Sequence, residues 1–233
     1  MTSVEKERHA ALLGAHLARA RTLRCAINAS PDDARDRLRL RTWQAARLAR
    51  THRDLLASPR YGPAANFFLT DLYGPKDFSE RDDEIERILP TLMAALPASA
   101  IRTVALAIEL DAISEELDAA MVAELRRAGA IANIGDEAYA AAFRRCGRQD
   151  EREMKVRLVG EVGEALAALT RKPLVRTALR LMHGPARLAG LGELHEFLDT
   201  GFNAFRHMGV AGEFLALIRS RESAFIEHLL GSP

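Results

Sequence analysis

Cysteine is almost missing from this chain: Cys25 and Cys146 are the only two in 233 residues, far apart and in no metal-ligand spacing. That excludes a disulfide framework and fits a reducing compartment, and a chain of this length buries a sizeable core without staples. No run of about 18 apolar residues occurs, so no transmembrane helix is expected. The start, Met1-Thr-Ser-Val-Glu-Lys-Glu-Arg-His, mixes acids and bases where a signal peptide needs a basic start and an apolar run. The expectation is a soluble, cytoplasmic protein. No segment alternates with period two and β-branched residues are few, which leaves no strand.

Motifs that would fix a chemistry are missing as well. Neither Gly-x-x-x-x-Gly-Lys-Ser/Thr nor Gly-x-Gly-x-x-Gly is present, against phosphate-loop and dinucleotide chemistry. Gly-x-Ser-x-Gly is absent and serine is sparse, which leaves a Ser/His/Asp triad few candidates. Three positions before the seven histidines stand Lys6, Leu13, Ala49, Arg180, Gly192, Ala204 and Phe225. None is Glu, so the Glu-x-x-His pairs of a di-iron bundle are absent, and His-Glu-x-x-His does not occur. His9, His16, His195 and His207 lie near apolar residues where a haem ligand would sit, though a lone histidine beside apolar residues is usually a satisfied or half-exposed side chain. No cofactor is assigned.

What is present is helix periodicity. Apolar residues recur at helical spacing over residues 4–28, 33–57, 63–73, 79–96, 100–128, 136–146, 150–170, 174–182, 194–208 and 210–230, giving an all-α fold. A single bundle of about nine or ten helices spanning residues 1–233 is expected, with weak subdivision near 129–150 or 183–192. Ser30-Pro31-Asp32-Asp33 reads as a helix start, with a hydroxyl cap, Pro at the first position and acids in the first turn. Pro90 is expected to kink its helix, and His183-Gly184-Pro185 to break another. In the second helix Leu38, Trp43, Ala45, Leu48, Leu55 and Leu56 are expected inward. In the helix from 100, Val104, Ile108, Leu110, Ile113, Leu117, Met121 and Leu125 form the buried stripe, with Glu109, Asp111, Glu115, Glu116 and Asp118 mostly opposite.

Charge is uneven along the chain. Residues 1–60 carry 13 Arg/Lys against 6 Asp/Glu, residues 61–140 carry 6 against 15, and residues 141–233 carry 14 against 11. Of the 33 basic residues 29 are Arg, which alongside the alanine content reads as the coding bias of a GC-rich genome. Arg35, Arg39, Arg50 and Arg53 line one side of the second helix beside Trp43. No nucleic-acid reading motif accompanies them, and a solvated arginine face explains them. Arg144, Arg145 and Arg148 flank Cys146 and would lower its thiol pKa if they faced it; a partly buried filler is the other reading.

Aromatic residues concentrate in one place. In Arg60-Tyr61-Gly62-Pro63-Ala64-Ala65-Asn66-Phe67-Phe68-Leu69-Thr70-Asp71-Leu72-Tyr73-Gly74-Pro75-Lys76-Asp77-Phe78 stand three of the nine Phe and two of the three Tyr. The apolar residues here cover nearly all faces of a helix, which is therefore expected to be buried, with Gly74-Pro75 ending it. This stretch resembles the motif of the bacterial FFLEELY-motif proteins over about residues 38–96, a resemblance that implies a helical fold and no particular chemistry. The motif's Glu-Glu pair is replaced by Thr70-Asp71.

Two functions fit these residues. In one, Tyr61, Phe67, Phe68, Asp71, Tyr73, Asp77 and Arg81 bind a partner protein or a small apolar ligand, using aromatic anchors and a few polar groups as pockets do. In the other, the carboxylates and tyrosine of Asp71, Tyr73, Asp77 and Asp82 are catalytic, with a divalent metal held by a cluster such as Asp71, Asp77, Asp82 and Asp111. No role for a membrane is expected, and the oligomeric state is open.

Overall fold

The computed structural model describes residues 3–27, 30–72, 83–87 and 98–231. Helices α1 (Ser3–Ile27), α2 (Pro31–Thr51), α3 (Arg53–Ala57) and α4 (Gly62–Phe67) lead into one π-helical turn, Phe68–Leu72. Residues 83–87 are helical. Then come α5 (Ala98–Arg127), α6 (Asp136–Cys146), α7 (Gln149–Thr170), α8 (Pro173–Leu188), α9 (Gly192–Met208) and α10 (Gly212–Gly231). No strand occurs among the described residues, and the fold is an all-helical bundle. The expected kink at Pro90 lies outside them.

Local chemistry sets most boundaries. Ser30 is extended and its Oγ accepts from the Asp33 amide at 3.1 Å, while Pro31 occupies the first turn. This satisfies one of the amide groups that a helix start leaves without an internal partner. Gly129, at φ +66°, closes the α5 end in the left-handed conformation that glycine adopts without a Cβ penalty. Two boundaries differ from expectation. The second helix is divided at His52, whose φ and ψ of −111° and 24° leave helical geometry. Conversely α8 runs unbroken through Gly184-Pro185, since a proline in a helix costs one amide bond and a local clash, which neighbouring packing can offset.

Helix α5 is the axis, with α1, α2, α6 and α7 all packed against it. Its expected apolar stripe is buried from Ile108 through Leu110, Ile113, Leu117 and Met121 to Leu125, while Val104 is half-buried and Ile101 is buried beside it. The acidic side is not solvated, which corrects the sequence reading. Asp111, Glu115 and Asp118, spaced at i, i+4 and i+7, are buried too, Glu115 completely. They face Arg24 of α1 and Arg37 and Arg41 of α2, all three nearly buried. Arg24 bonds Asp111 and reaches Glu115 at 3.3 Å; Arg37 reaches both Glu115 oxygens at 3.1 and 3.2 Å. Arg41 lies 2.9 Å from Glu115 and 2.9 Å from Asp118. Burial by itself would lower the Arg41 pKa, but Asp118 and Glu115 outweigh it and hold that pKa above the ordinary arginine value. With Arg37, Leu40, Arg41 and Leu48 turned inward on α2, Leu38 is left 49% exposed instead of buried.

The aromatic stretch is central, as its composition implied. Phe67 and Phe68 are buried at 1% and 3% exposure, packed with Phe197, Phe205 and Phe214 of α9 and α10. Gly201 of α9 faces the Phe67 ring so closely that a Cβ there would sit 2.7 Å from it. On α7, Gly163 gives the same clearance to Leu215 of α10, where a Cβ would lie 2.4 Å from a methyl group.

Two stability measurements follow. Glu115→Gln leaves three buried guanidinium groups facing a neutral amide and is expected to cost ~3–5 kcal/mol in urea denaturation. Glu116→Gln, which removes the more exposed partner of Arg19, is expected to cost ~1 kcal/mol or less. Equal costs would contradict the role given to the buried cluster. Phe67→Ala should lose ~3–5 kcal/mol by opening a cavity against Gly201, and a variant melting like the parent would remove Phe67 from the core.

Candidate functional site

Seven helices and the π turn line a cavity of about 110 Å³ beside the ion cluster. Its apolar wall is Leu48, Phe68, Leu69, Met121, Val156 and Ile218, with Tyr139, Phe143 and Phe225 adding aromatic faces. The polar lining is Gln44, Arg47, His52, Asp118, Arg152, Lys155 and Glu222. A π turn widens a helix locally and often marks functional positions; here it supplies Phe68 and Leu69.

The two carboxylates of the lining are already engaged. Glu222 accepts from Arg47 with both oxygens at 2.7 Å and lies 2.9 Å from His52 Nε2. Burial would raise the Glu222 pKa, but His52 and Arg47 outweigh it, and the carboxyl stays below its usual range. Asp118 accepts from Arg41 at 2.9 Å and from Gln44 at 3.2 Å. Three cations, Arg47, Arg152 and Lys155, stand against these two anions.

Arg152 is the cation with no carboxylate partner among the described residues. Its residue is 6% exposed, its Nε donates to the Gly147 carbonyl at 3.0 Å, and a terminal nitrogen lies 3.6 Å from Met121 sulfur. The guanidinium sits 3.5 Å over the Phe143 ring, a cation–π contact that does not neutralise charge. Burial pulls its pKa below the ordinary arginine value. Lys155, one turn further along α7, is half-buried; burial pushes its ammonium down to about 8, with Asp118 opposing and Arg41, Arg152 and Arg47 reinforcing. Two buried nitrogens of the lining, Arg47 Nε and His52 Nδ1, have no hydrogen-bond partner among the described residues. Such groups are costly to bury unsatisfied.

Of the residues singled out in the sequence, Phe68 reaches this cavity; Phe67 packs behind it in the core. Tyr61 donates to Glu213 and packs on Phe214. Asp71 accepts from Thr70 Oγ1 at 2.6 Å. Tyr73, Asp77, Arg81 and Asp82 lie outside the described residues. Asp111, expected as a fourth carboxylate of a metal cluster, is bound to Arg24, and among the described residues no group of three or more His, Cys, Asp or Glu could hold a metal. His195 contacts the Leu179 carbonyl at 2.9 Å and His207 the Pro59 carbonyl at 2.8 Å. Cys146 is not activated: burial pushes its thiol pKa up despite Arg145, Arg148 and Arg152. On α2, Arg35 and Arg39 are paired with Asp32 and Asp36.

Residues 24–232 match the family described as a domain of unknown function, DUF8198. The chain belongs to that family. The match begins at Arg24, the first arginine of the buried cluster, and takes in every residue of the cavity. No curated protein and no solved structure matches the chain. Among the described residues of this DUF8198 chain, no helix is long and apolar enough to cross a membrane.

Arg47, His52, Tyr139, Arg152, Lys155 and Glu222 were not singled out from sequence. The available signal was Lys155, one of only four lysines beside 29 arginines, three residues after Arg152 and followed by Val156 and Val159 on a helix.

The depressed Lys155 pKa has a sign in stability. Between about 8 in the fold and the ordinary 10.5, the unfolded chain binds more protons, so stability rises with pH across that window. The penalty is complete below pH 8 and absent above 10.5. Lys155→Met is therefore expected to gain ~1–3 kcal/mol at pH 7 and to flatten the rise between pH 8 and 10. A parent and variant with parallel pH profiles in urea melts would contradict the depressed pKa.

Proposed function

We propose that this DUF8198 chain is a cytoplasmic binding module for a small organic anion, taken up in the cavity with its charged end at Arg152 and its apolar end against Phe68, Phe143 and Phe225. The observation that carries the reading is a buried guanidinium with no carboxylate partner among the described residues, lining a mostly apolar cavity whose own carboxylates are occupied. A ligand carboxylate supplies the missing counter-charge, and a planar guanidinium suits it through two parallel hydrogen bonds. His52 Nδ1 and Arg47 Nε are further buried polar atoms in want of a partner.

Size narrows the class. An apolar cavity of about 150 Å³ admits benzene, so about 110 Å³ suits a carboxylate of roughly four to five carbons. In this reading the stretch resembling the FFLEELY motif builds the wall, through Phe68 and Leu69. The reading does not use the polar rim: Tyr61 donates to Glu213 and Asp71 accepts from Thr70, while Tyr73, Asp77 and Arg81 lie outside the described residues.

Butyrate is the direct probe, with butyramide as its neutral counterpart. Millimolar butyrate at constant ionic strength is expected to raise the melting temperature by about 2–4 °C for each kcal/mol of binding. Butyramide should not, and Arg152→Met should lose the response while remaining folded. Because the anion favours the charged form of Lys155, binding should weaken as pH rises through about 8. Equal shifts from acid and amide, or an unchanged response in Arg152→Met, would overturn the reading.

A further inference from the structure

Lys155 and Arg152 are three residues apart on α7, and both line the cavity. Residues at that spacing share one face of a helix, with Cβ atoms about 5–6 Å apart. An amine beside the guanidinium that holds a carboxylate stands near the atom bonded to that carboxylate. In a 2-oxo acid that neighbouring atom is a ketone carbon. We infer that Lys155 is a nucleophile that captures the carbonyl of a small 2-oxo acid as an iminium, while Arg152 holds the acid's carboxylate. The inference rests on the anion-binding reading above and names the substrate class and the reacting atom within it.

The environment suits an amine that must give up its proton. Lys155 is ringed by Arg41 and Arg47 of α2 and Arg152 of its own helix, with Asp118 of α5 as the opposing anion. A lysine desolvated among other cations is one recognised way to an activated amine. At pH 8 a lysine titrating at about 8 instead of 10.5 carries roughly a hundredfold more free amine.

The step balances with groups at hand. The free amine nitrogen adds to the C2 carbonyl carbon, and the π pair passes to oxygen, which takes a proton from the nitrogen. The carbinolamine then accepts one proton from solvent and loses water, leaving the protonated C=N bond on Lys155. The iminium carbon is electron-poor, and it draws electrons from the bond to the adjacent carboxylate or from an adjacent C–H bond. The cavity's apolar wall of Phe68, Phe143 and Phe225 limits water at that carbon, which slows the reverse hydrolysis.

The test is reductive trapping of the wild-type protein with 2-oxobutyrate and cyanoborohydride, which adds hydride to the iminium carbon and fixes it as a secondary amine. Peptide mass mapping should place the reduced adduct on Lys155 at least tenfold over Lys6, Lys76, Lys172 and the chain's amino terminus. Butyrate should suppress it, and Arg152→Met should slow it tenfold or more at equal fold stability. Adducts spread evenly over the amines would overturn the inference. Butyrate stabilisation without a Lys155 adduct would remove the amine's role and leave the anion-binding reading standing. An adduct on Lys155 that butyrate does not suppress would instead remove the Arg152 anchor, and with it the geometry claimed here.

Discussion

Glu115 is the fixed point of the molecule. A carboxylate with no exposed surface is tolerable only when surrounding charge replaces the water it has lost, and Arg24, Arg37 and Arg41 supply that charge from two other helices. An apolar core of the same volume could be as stable, so what the cluster contributes is position. Apolar stripes tolerate sliding and rotation more readily than charges do. A shift of α1 or α2 along α5 by one turn would strand guanidinium groups in the interior. The ion cluster therefore selects a single docking of the N-terminal helices on the axis.

The same arrangement sets the electrostatics of the cavity next to it. Asp118 belongs to both: it closes the cluster through Arg41 and lines the cavity beside Gln44. Asp118 is bonded to Arg41 and Gln44 of α2, and from there its charge also opposes the effect of burial on Lys155 and Arg152 of α7. Glu222 is committed in the same manner to Arg47 and His52. Structural pairing on two sides leaves Arg152, on the third, with no carboxylate partner among the described residues, and the anion-binding proposal rests on that.

The local half of this architecture was legible in the sequence. Helix periodicity and the Ser30 cap depend on neighbours within a few residues, and the burial of Phe67 and Phe68 was marked by the apolar run around them; each is found. The long-range half was not. Nothing in the sequence set Arg24, Arg37 and Arg41 apart from the other arginines, since lone charges are almost always solvated, and their partners lie 91, 78 and 77 residues away, at no spacing a pattern could mark. Leu38 was misplaced for the same reason, since the inward face of α2 is chosen by its arginines. The division at His52 carries no Gly or Pro, while Gly184-Pro185 carries both and does not divide α8. The cavity draws on separate helices, so none of its polar residues forms a motif.

The π turn at Phe68–Leu72 adds a different kind of sensitivity. A helix advances its side chains by about 100° per residue, and a π turn holds one residue more than an α turn. The wall formed by Phe68 and Leu69 is thus aimed by the number of residues in that turn as much as by their identity. Loss of a single residue there, with every aromatic retained, would swing both side chains off the cavity, so a length change in this segment alters the cavity wall more deeply than many substitutions within it.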